Sequence, residues 1–261
     1  MIAMITEEEK KLSYAKYWNR DLAPIPEDKL AIAKGVAADP AKALKFENRN
    51  DFICGKDNGV TVGFCVMEDG TGFVANEAFW PGVTPEMFDW WFGWHSLEDL
   101  RYKIWDKEDH YYARADNRDY VLDPSVPTSQ KTWGVNHEIL ENIGLGPEEL
   151  LLCFKCPTDL GYDLSKVGTD ECTTMVCAIG KSNVAALMTH ICKKVEGGII
   201  FKSRFWIGYA MVNGKIVKSL PEGVVIPEIV PRSLFSHTIK EYEHLAAILP
   251  EIYEEEKDNW E

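Results

Sequence analysis

The chain has 261 residues, 46% of them hydrophobic, enough to bury a full core as one large domain with at most a small appendage. A formal net charge of −14 speaks against a phosphate-binding surface, which needs clustered Lys and Arg, so nucleic acid is not an expected partner. No run of about 18 apolar residues predicts a membrane span, Glu7-Glu8-Glu9 does not suit a signal peptide, and an odd count of seven cysteines reads as reduced thiols in the cytoplasm.

Residues 1–50 read as a helical region set apart from the rest. Thr6 and Glu9 have the spacing of a capping box ahead of Leu12, Tyr14, Ala15, Tyr17 and Trp18, and Pro24 and Pro26 end that element. A second helix is expected over 27–36, closing near Gly35, and a third over 40–46. Helices this short cannot bury themselves alone, so they dock on the main domain, 51–261, or on a second subunit.

From about Phe52 the pattern turns to strands. Segments 60–67 and 72–75 flank Glu68-Asp69-Gly70-Thr71, a hairpin signal. Thr84-Pro85-Glu86 then starts a helix through Met87, Phe88, Trp90, Trp91 and Trp94. Further strands are expected over 133–139, 149–155, 172–179, 184–194 and 199–212, with tight turns at Gly197-Gly198 and Asn213-Gly214. A helix over 236–255, with Pro250 as a kink point, closes the chain. Many antiparallel strands with a long closing helix predict an α+β fold, a curved sheet gripping the helix around a cavity.

On that closing helix His237 and Glu241 lie four residues apart and stack on one face, which makes half a metal site. His244 extends the stripe, while Ile239, Tyr242, Leu245 and Leu249 form the apolar remainder. A polar helix face that happens to hold histidines explains this spacing equally well. The missing partners can come from His110, which follows the aromatic run from Arg101 to Trp105, and from Glu141 or its neighbour Glu138. His190 shares a strand face with Ala186, Met188 and Cys192, and is either a hydrogen-bonded core residue or a proton shuttle. The same ambiguity holds for Tyr209, on a face with Phe205 and Ile207.

A rival metal set is Cys153 and Cys156 with Cys172 and Cys177, but the second pair is spaced too widely for a zinc ribbon, and core thiols fit better. The Gly-x-Ser-x-Gly elbow, the Walker loop and Gly-x-Gly-x-x-Gly are absent, so serine-hydrolase, nucleotide and dinucleotide chemistry lack support.

Taken in order, Phe88-Asp89-Trp90-Trp91-Phe92-Gly93-Trp94-His95, Arg101-Tyr102-Lys103-Ile104-Trp105 to His110, Ser203-Arg204-Phe205-Trp206-Ile207-Gly208 and His237-x-x-x-Glu241 resemble the phloretin and 2,4-diacetylphloroglucinol hydrolase family. The resemblance covers most of the chain after about residue 50. It implies a helix-grip fold like the birch-pollen allergen, with a small N-terminal helical domain used in a homodimer. It implies a Zn²⁺-dependent hydrolase that cuts the carbon–carbon bond between an acyl group and a phloroglucinol ring, with a small aromatic ketone such as phloretin as substrate. Carried over by motif, the zinc ligands would be His110, Glu141, His237 and Glu241, with Tyr102 and His190 as catalytic groups. Trp91, Phe205 and Tyr209 are expected to line the pocket for a flat phenol. A non-catalytic carrier of apolar phenolic ligands is the competing expectation, because fold alone does not set function.

Overall fold

The structure, a computed structural model, describes residues 4–261. Short 3-10 turns over Glu9–Lys11 and Ser13–Asn19 precede helices α1 (Glu27–Lys34) and α2 (Arg49–Ile53). Then come strands β1 (Gly63–Val66) and β2 (Gly72–Pro81), helices α3 (Pro85–Trp94) and α4 (Asp99–Lys103), strand β3 (His110–Ala115) and helix α5 (Arg118–Leu122). Strands β4 (Asn136–Glu141), β5 (Glu148–Lys155), β6 (Thr174–Lys181), β7 (Ala186–Val195) and β8 (Gly198–Ile207) follow. A small hairpin, β9 (Tyr209–Val212) and β10 (Lys215–Lys218), leads to the closing helix α6 (Ile229–Glu256).

Eight strands form one antiparallel sheet in the order β1-β2-β8-β7-β6-β5-β4-β3. Its two edge strands meet the same helix. Phe64 of β1 lies 5.7 Å from the Phe235 ring, and His110 of β3 comes 3.3 Å from His237. The sheet therefore curls around α6, which is the helix-grip arrangement. The concave face packs Ile139, Met188, Phe201 and Phe205 with Ile239, Leu245 and Leu249 of α6. The convex face, with Leu187, Ile191 and Trp206, is covered by Phe46, Phe52 and Leu160. Because both faces are buried, the central strands read as nearly continuous apolar runs.

Several boundaries differ from expectation for local reasons. The stretch 199–212 is two strands, split at Gly208, whose φ of +98° suits glycine and where a Cβ would come 3.0 Å from Leu220. Helix α6 begins at Ile229 rather than near 236, because Pro231 falls in the first turn, where its missing N–H costs nothing. The Thr6–Glu9 capping box forms, with reciprocal bonds of 2.7 and 3.1 Å, although the turns after it wind as 3-10. Of the third N-terminal helix only the turn Pro40–Lys42 is present, since the chain is extended at Ala43. The region does not make a core of its own: Tyr14, Ala15, Tyr17 and Ala33 belong to the concave-face core, and Tyr14 packs edge-on to Trp94 at 5.0 Å. Helices α2, α4 and α5 and strands β3 and β10 were not anticipated. No helix among the described residues is long and apolar enough to cross a membrane.

Two arginines of the quoted motifs are structural anchors. Arg101 is fully buried, stacks 4.2 Å over Trp94 and donates to the carbonyls of Trp94 and Trp260, tying the C-terminal segment to the helix that carries Tyr102. Arg204, on the convex face, donates to Asp57 at 2.8 Å and to Glu77 at 2.6 Å. Replacing it leaves the buried Asp57 carboxylate unpaired and Glu77 with only Lys202, at 3.9 Å, so Arg204→Met is expected to cost about 3 kcal/mol. Urea unfolding measures this, and a loss below about 1 kcal/mol would mean that the carboxylates find water or other cations.

Candidate active site

Four side chains meet where α6 passes the β3–β4 edge. His110 opens β3 and pairs in register with Glu141 at the end of β4, and a bulge after His110 turns its ring toward the helix. His237 and Glu241 face them from α6, one turn apart. The Nε2 of His110 lies 3.3 Å from Nε2 of His237, 3.5 Å from Oε2 of Glu241 and 3.9 Å from Oε2 of Glu141. The His237 Nε2 to Glu241 Oε2 distance is 3.8 Å. Glu138, the alternative to Glu141, is exposed on the opposite face of β4.

The surroundings hold these groups in place. The other nitrogen of His110, Nδ1, lies 3.3 Å from the Tyr102 carbonyl, which accepts its proton and leaves the Nε2 lone pair directed at the cluster. Tyr102 stacks on His110 at 3.9 Å, with the rings 2° from parallel, and donates a short hydrogen bond to Glu141. The Trp105 indole donates to the Glu241 carbonyl at 3.0 Å. Asp109 lies 3.6 Å from Nδ1 of His237. Asp106 also comes within 4.8 Å of the His110 and His237 ring nitrogens and forms with them a group able to hold a metal. Its carboxylate, however, already takes the Glu108 backbone N–H at 3.1 Å and lies 3.1 Å from the Lys240 ammonium. Among the described residues Glu141 and Glu241 form no such ion pair with a lysine, and their carboxylates face the His110 ring nitrogen.

Crowding two imidazoles and two carboxylates in a buried site creates a demand for positive charge. Burial pushes the His237 pKa down, but Glu241, Asp109 and Glu141 outweigh it and hold it at about 9. Burial raises Glu241 to about 8, against the pull of His237. Burial, then the charge of His237, drives His110 well below the ordinary range. The protein alone thus retains protons here at neutral pH, and a divalent cation satisfies the same demand. Two nitrogens and two carboxylate oxygens also suit Zn²⁺, so the residues fit the ion.

The cluster opens into a cavity of about 70 Å³ lined by Phe92, Tyr102, Trp105, His190, Phe205 and Tyr242. His190 is fully buried, with Nε2 3.5 Å from the Tyr242 hydroxyl, and burial pushes its pKa down to about 3. Burial, followed by Glu141 and Glu241, raises the Tyr102 phenol well above its usual value, so it keeps its proton.

Not every residue singled out in the sequence is in this cavity. Trp91 lies behind its wall, against Trp94, His95 and Trp105. Tyr209 sits on β9 beside Phe46, in a separate surface pocket, because Gly208 breaks the strand and with it the face shared with Phe205. His244 accepts the Ala23 backbone N–H at 3.2 Å and anchors the N-terminal segment. Cys153, Cys156, Cys172 and Cys177 are free thiols, and among the described residues they form no group able to hold a metal. Sequence reasoning missed Phe92, Trp105, Asp106 and Tyr242. Asp106, four residues before His110, was open to notice, whereas Tyr242 was grouped with the apolar face of its helix.

A model of the DAPG hydrolase PhiG domain matches residues 44–254. The chain belongs to the DAPG hydrolase family. It is 56% identical over 259 residues to phloretin hydrolase of Eubacterium ramulus, covering 98% of this chain and 94% of that one. It is 27% identical over 207 residues to 2,4-diacetylphloroglucinol hydrolase of a Pseudomonas species, covering 74% and 70%. Among solved structures it is similar to Ara h 8.0201, with a TM-score of 0.41, 9% identity and coverage of 69% and 98%. As a member of the DAPG hydrolase family the protein is an enzyme, a hydrolase.

The buried histidines of this hydrolase carry a pH consequence away from the His110–His237 cluster. Burial lowers His95 and His244 to about 4 and His190 to about 3, and drives His137 well below the ordinary range. Unfolded, each titrates near 6.5, so as pH falls below that the unfolded chain binds protons that the native state refuses. Asp89, raised by burial to about 7, works in the opposite direction and offsets one of the four. Stability is therefore expected to fall by roughly 3–4 kcal/mol per pH unit between pH 6 and 4.5. Urea unfolding at each pH tests this, and a flat profile there would contradict it.

Proposed function

We propose that this hydrolase cleaves the carbon–carbon bond joining an acyl group to a phloroglucinol ring, with phloretin giving phloroglucinol and 3-(4-hydroxyphenyl)propionate. The observation that carries the reading is a buried His–His–Glu–Glu cluster opening with Tyr102 into an aromatic cavity, in a chain 56% identical to a phloretin hydrolase. His110, Glu141, His237 and Glu241 are the residues that would hold Zn²⁺. Bound there, the ion would supply a Lewis acid for the ketone oxygen and lower the pKa of water from 15.7 to about 7.

The chain's own residues account for the fate of the ring. Water delivers hydroxyl to the acyl carbon, the bond to the ring breaks, and the ring carbon must gain a proton. A phloroglucinol ring accepts it because its hydroxyls allow a keto tautomer. Tyr102 has a retained proton and borders both the cluster and the cavity, so it is the general acid of this reading. His190 is neutral at pH 7 and pairs with Tyr242, so it suits hydrogen bonding to a ring hydroxyl rather than carrying charge. Phe92, Trp105 and Phe205 offer apolar faces to a flat ring and exclude water.

Chromatography of purified enzyme with phloretin tests the reading. Equimolar phloroglucinol and 3-(4-hydroxyphenyl)propionate are expected. Release of phloroglucinol derivatives from diacetylphloroglucinol alone would reassign the substrate, and no cleavage of either would leave the non-catalytic carrier as the better account.

A further inference from the structure

The cavity beside the cluster, at about 70 Å³, is far smaller than the ~300–1,000 Å³ of pockets that take drug-sized ligands. A second cleft of about 350 Å³ adjoins it. Glu141, Leu152, Phe205 and Leu234 line both spaces. The two sides differ in chemistry. The inner cavity carries Tyr102, His190, His237 and Tyr242, while the cleft is walled by aliphatic side chains such as Leu145, Val184, Ala186 and Val230. Polar groups return only at the rim, where Glu148 accepts from the backbone and side-chain amides of Asn183 at 3.1 and 2.8 Å.

We propose that this cleft is the binding site for the acyl arm of the substrate, and that its length and aliphatic walls select aryl ketones with a long arylalkyl arm over those with a methyl. The inference rests on the proposed reaction and deepens it. The bond to be cut must lie by Glu141, a member of the cluster, and Glu141 borders both spaces. The polyhydroxylated ring, which needs a proton and hydrogen bonds, fits the polar inner side. That leaves the arm to the cleft, where a two-carbon linker and a second ring bury apolar surface. A hydroxyl at the far end of that ring would reach the rim by Glu148 and Ser182.

Ala186→Phe and Val184→Trp each fill the cleft from a different element without touching the cluster. Each is expected to lower kcat/KM for phloretin by about 30-fold or more, while kcat/KM for monoacetylphloroglucinol changes less than about threefold. Calorimetric titration of the two product halves supplies a readout independent of turnover. Binding of 3-(4-hydroxyphenyl)propionate should weaken at least tenfold in both variants, with phloroglucinol binding unchanged. Equal losses for both ketones, or arm binding that both variants leave intact, would overturn the proposal even if the wild type cleaves phloretin. A wild type that cleaves neither ketone would instead remove the reaction on which it rests, and the acid titration would still show whether the cleft takes the arm.

Discussion

His237→Ala is expected to strip the bound metal and lower turnover of phloretin by about 10⁴-fold or more, equivalent to roughly 5.5 kcal/mol of transition-state stabilisation. His237 supplies one of only two nitrogens in the cluster, and its Nε2 is the nearest neighbour of the His110 nitrogen there, at 3.3 Å. Without it one imidazole, His110, and the carboxylates of Glu141 and Glu241 remain, a set with a single nitrogen donor that holds Zn²⁺ more weakly. Folding should survive, because Phe235, Ile239, Tyr242 and Leu245 hold α6 in the core and do not depend on the imidazole. Glu241, raised by burial to about 8, can answer the lost positive charge by keeping its proton. Metal content by atomic emission, turnover by chromatography and stability by urea unfolding read the three effects separately. Wild-type metal content in the variant would contradict the ligand assignment.

Tyr102→Phe is expected to lower turnover by about 10²–10⁴-fold while the metal stays bound. The substitution keeps the ring that stacks on His110 at 3.9 Å, so the geometry of that imidazole is retained. What is lost is the phenol proton that Glu141 holds at the mouth of the cavity. A role in positioning Glu141 would appear chiefly as weaker metal binding, and a role as proton donor as a fall in kcat at full metal loading. Full activity in the variant would remove Tyr102 from the mechanism.

The sequence made the long elements legible and obscured the short ones. The strands from β5 to β8 and helix α6 have apolar patterns long enough to identify; the turn expected at Gly197-Gly198 falls one residue earlier, at Glu196-Gly197, and Asn213-Gly214 is the turn between β9 and β10. Strand β3, six residues of His-Tyr-Tyr-Ala-Arg-Ala on a sheet edge, has little alternation to read, yet it carries His110. Helix α4 spans only five residues, and its place is set by Arg101, whose partners lie in the N- and C-terminal segments. Such partners are invisible to local pattern. The coming together of His110 and Glu141 with His237 and Glu241 likewise depends on a sheet curled far enough for its edge to reach the helix. Tyr209 shows the converse, since alternation through 199–212 placed it with Phe205 until Gly208 turned the chain. Tyr242 escaped because a tyrosine at a core position of a helix looks apolar, while its hydroxyl reaches His190 inside the cavity.

The most direct test of metal-dependent carbon–carbon hydrolysis is phloroglucinol release from phloretin before chelation, after removal of the metal, and after return of Zn²⁺. The account predicts release that chelation stops and Zn²⁺ restores, with His237→Ala silent in all three conditions. Release that persists at full rate in fully metal-free protein would contradict it.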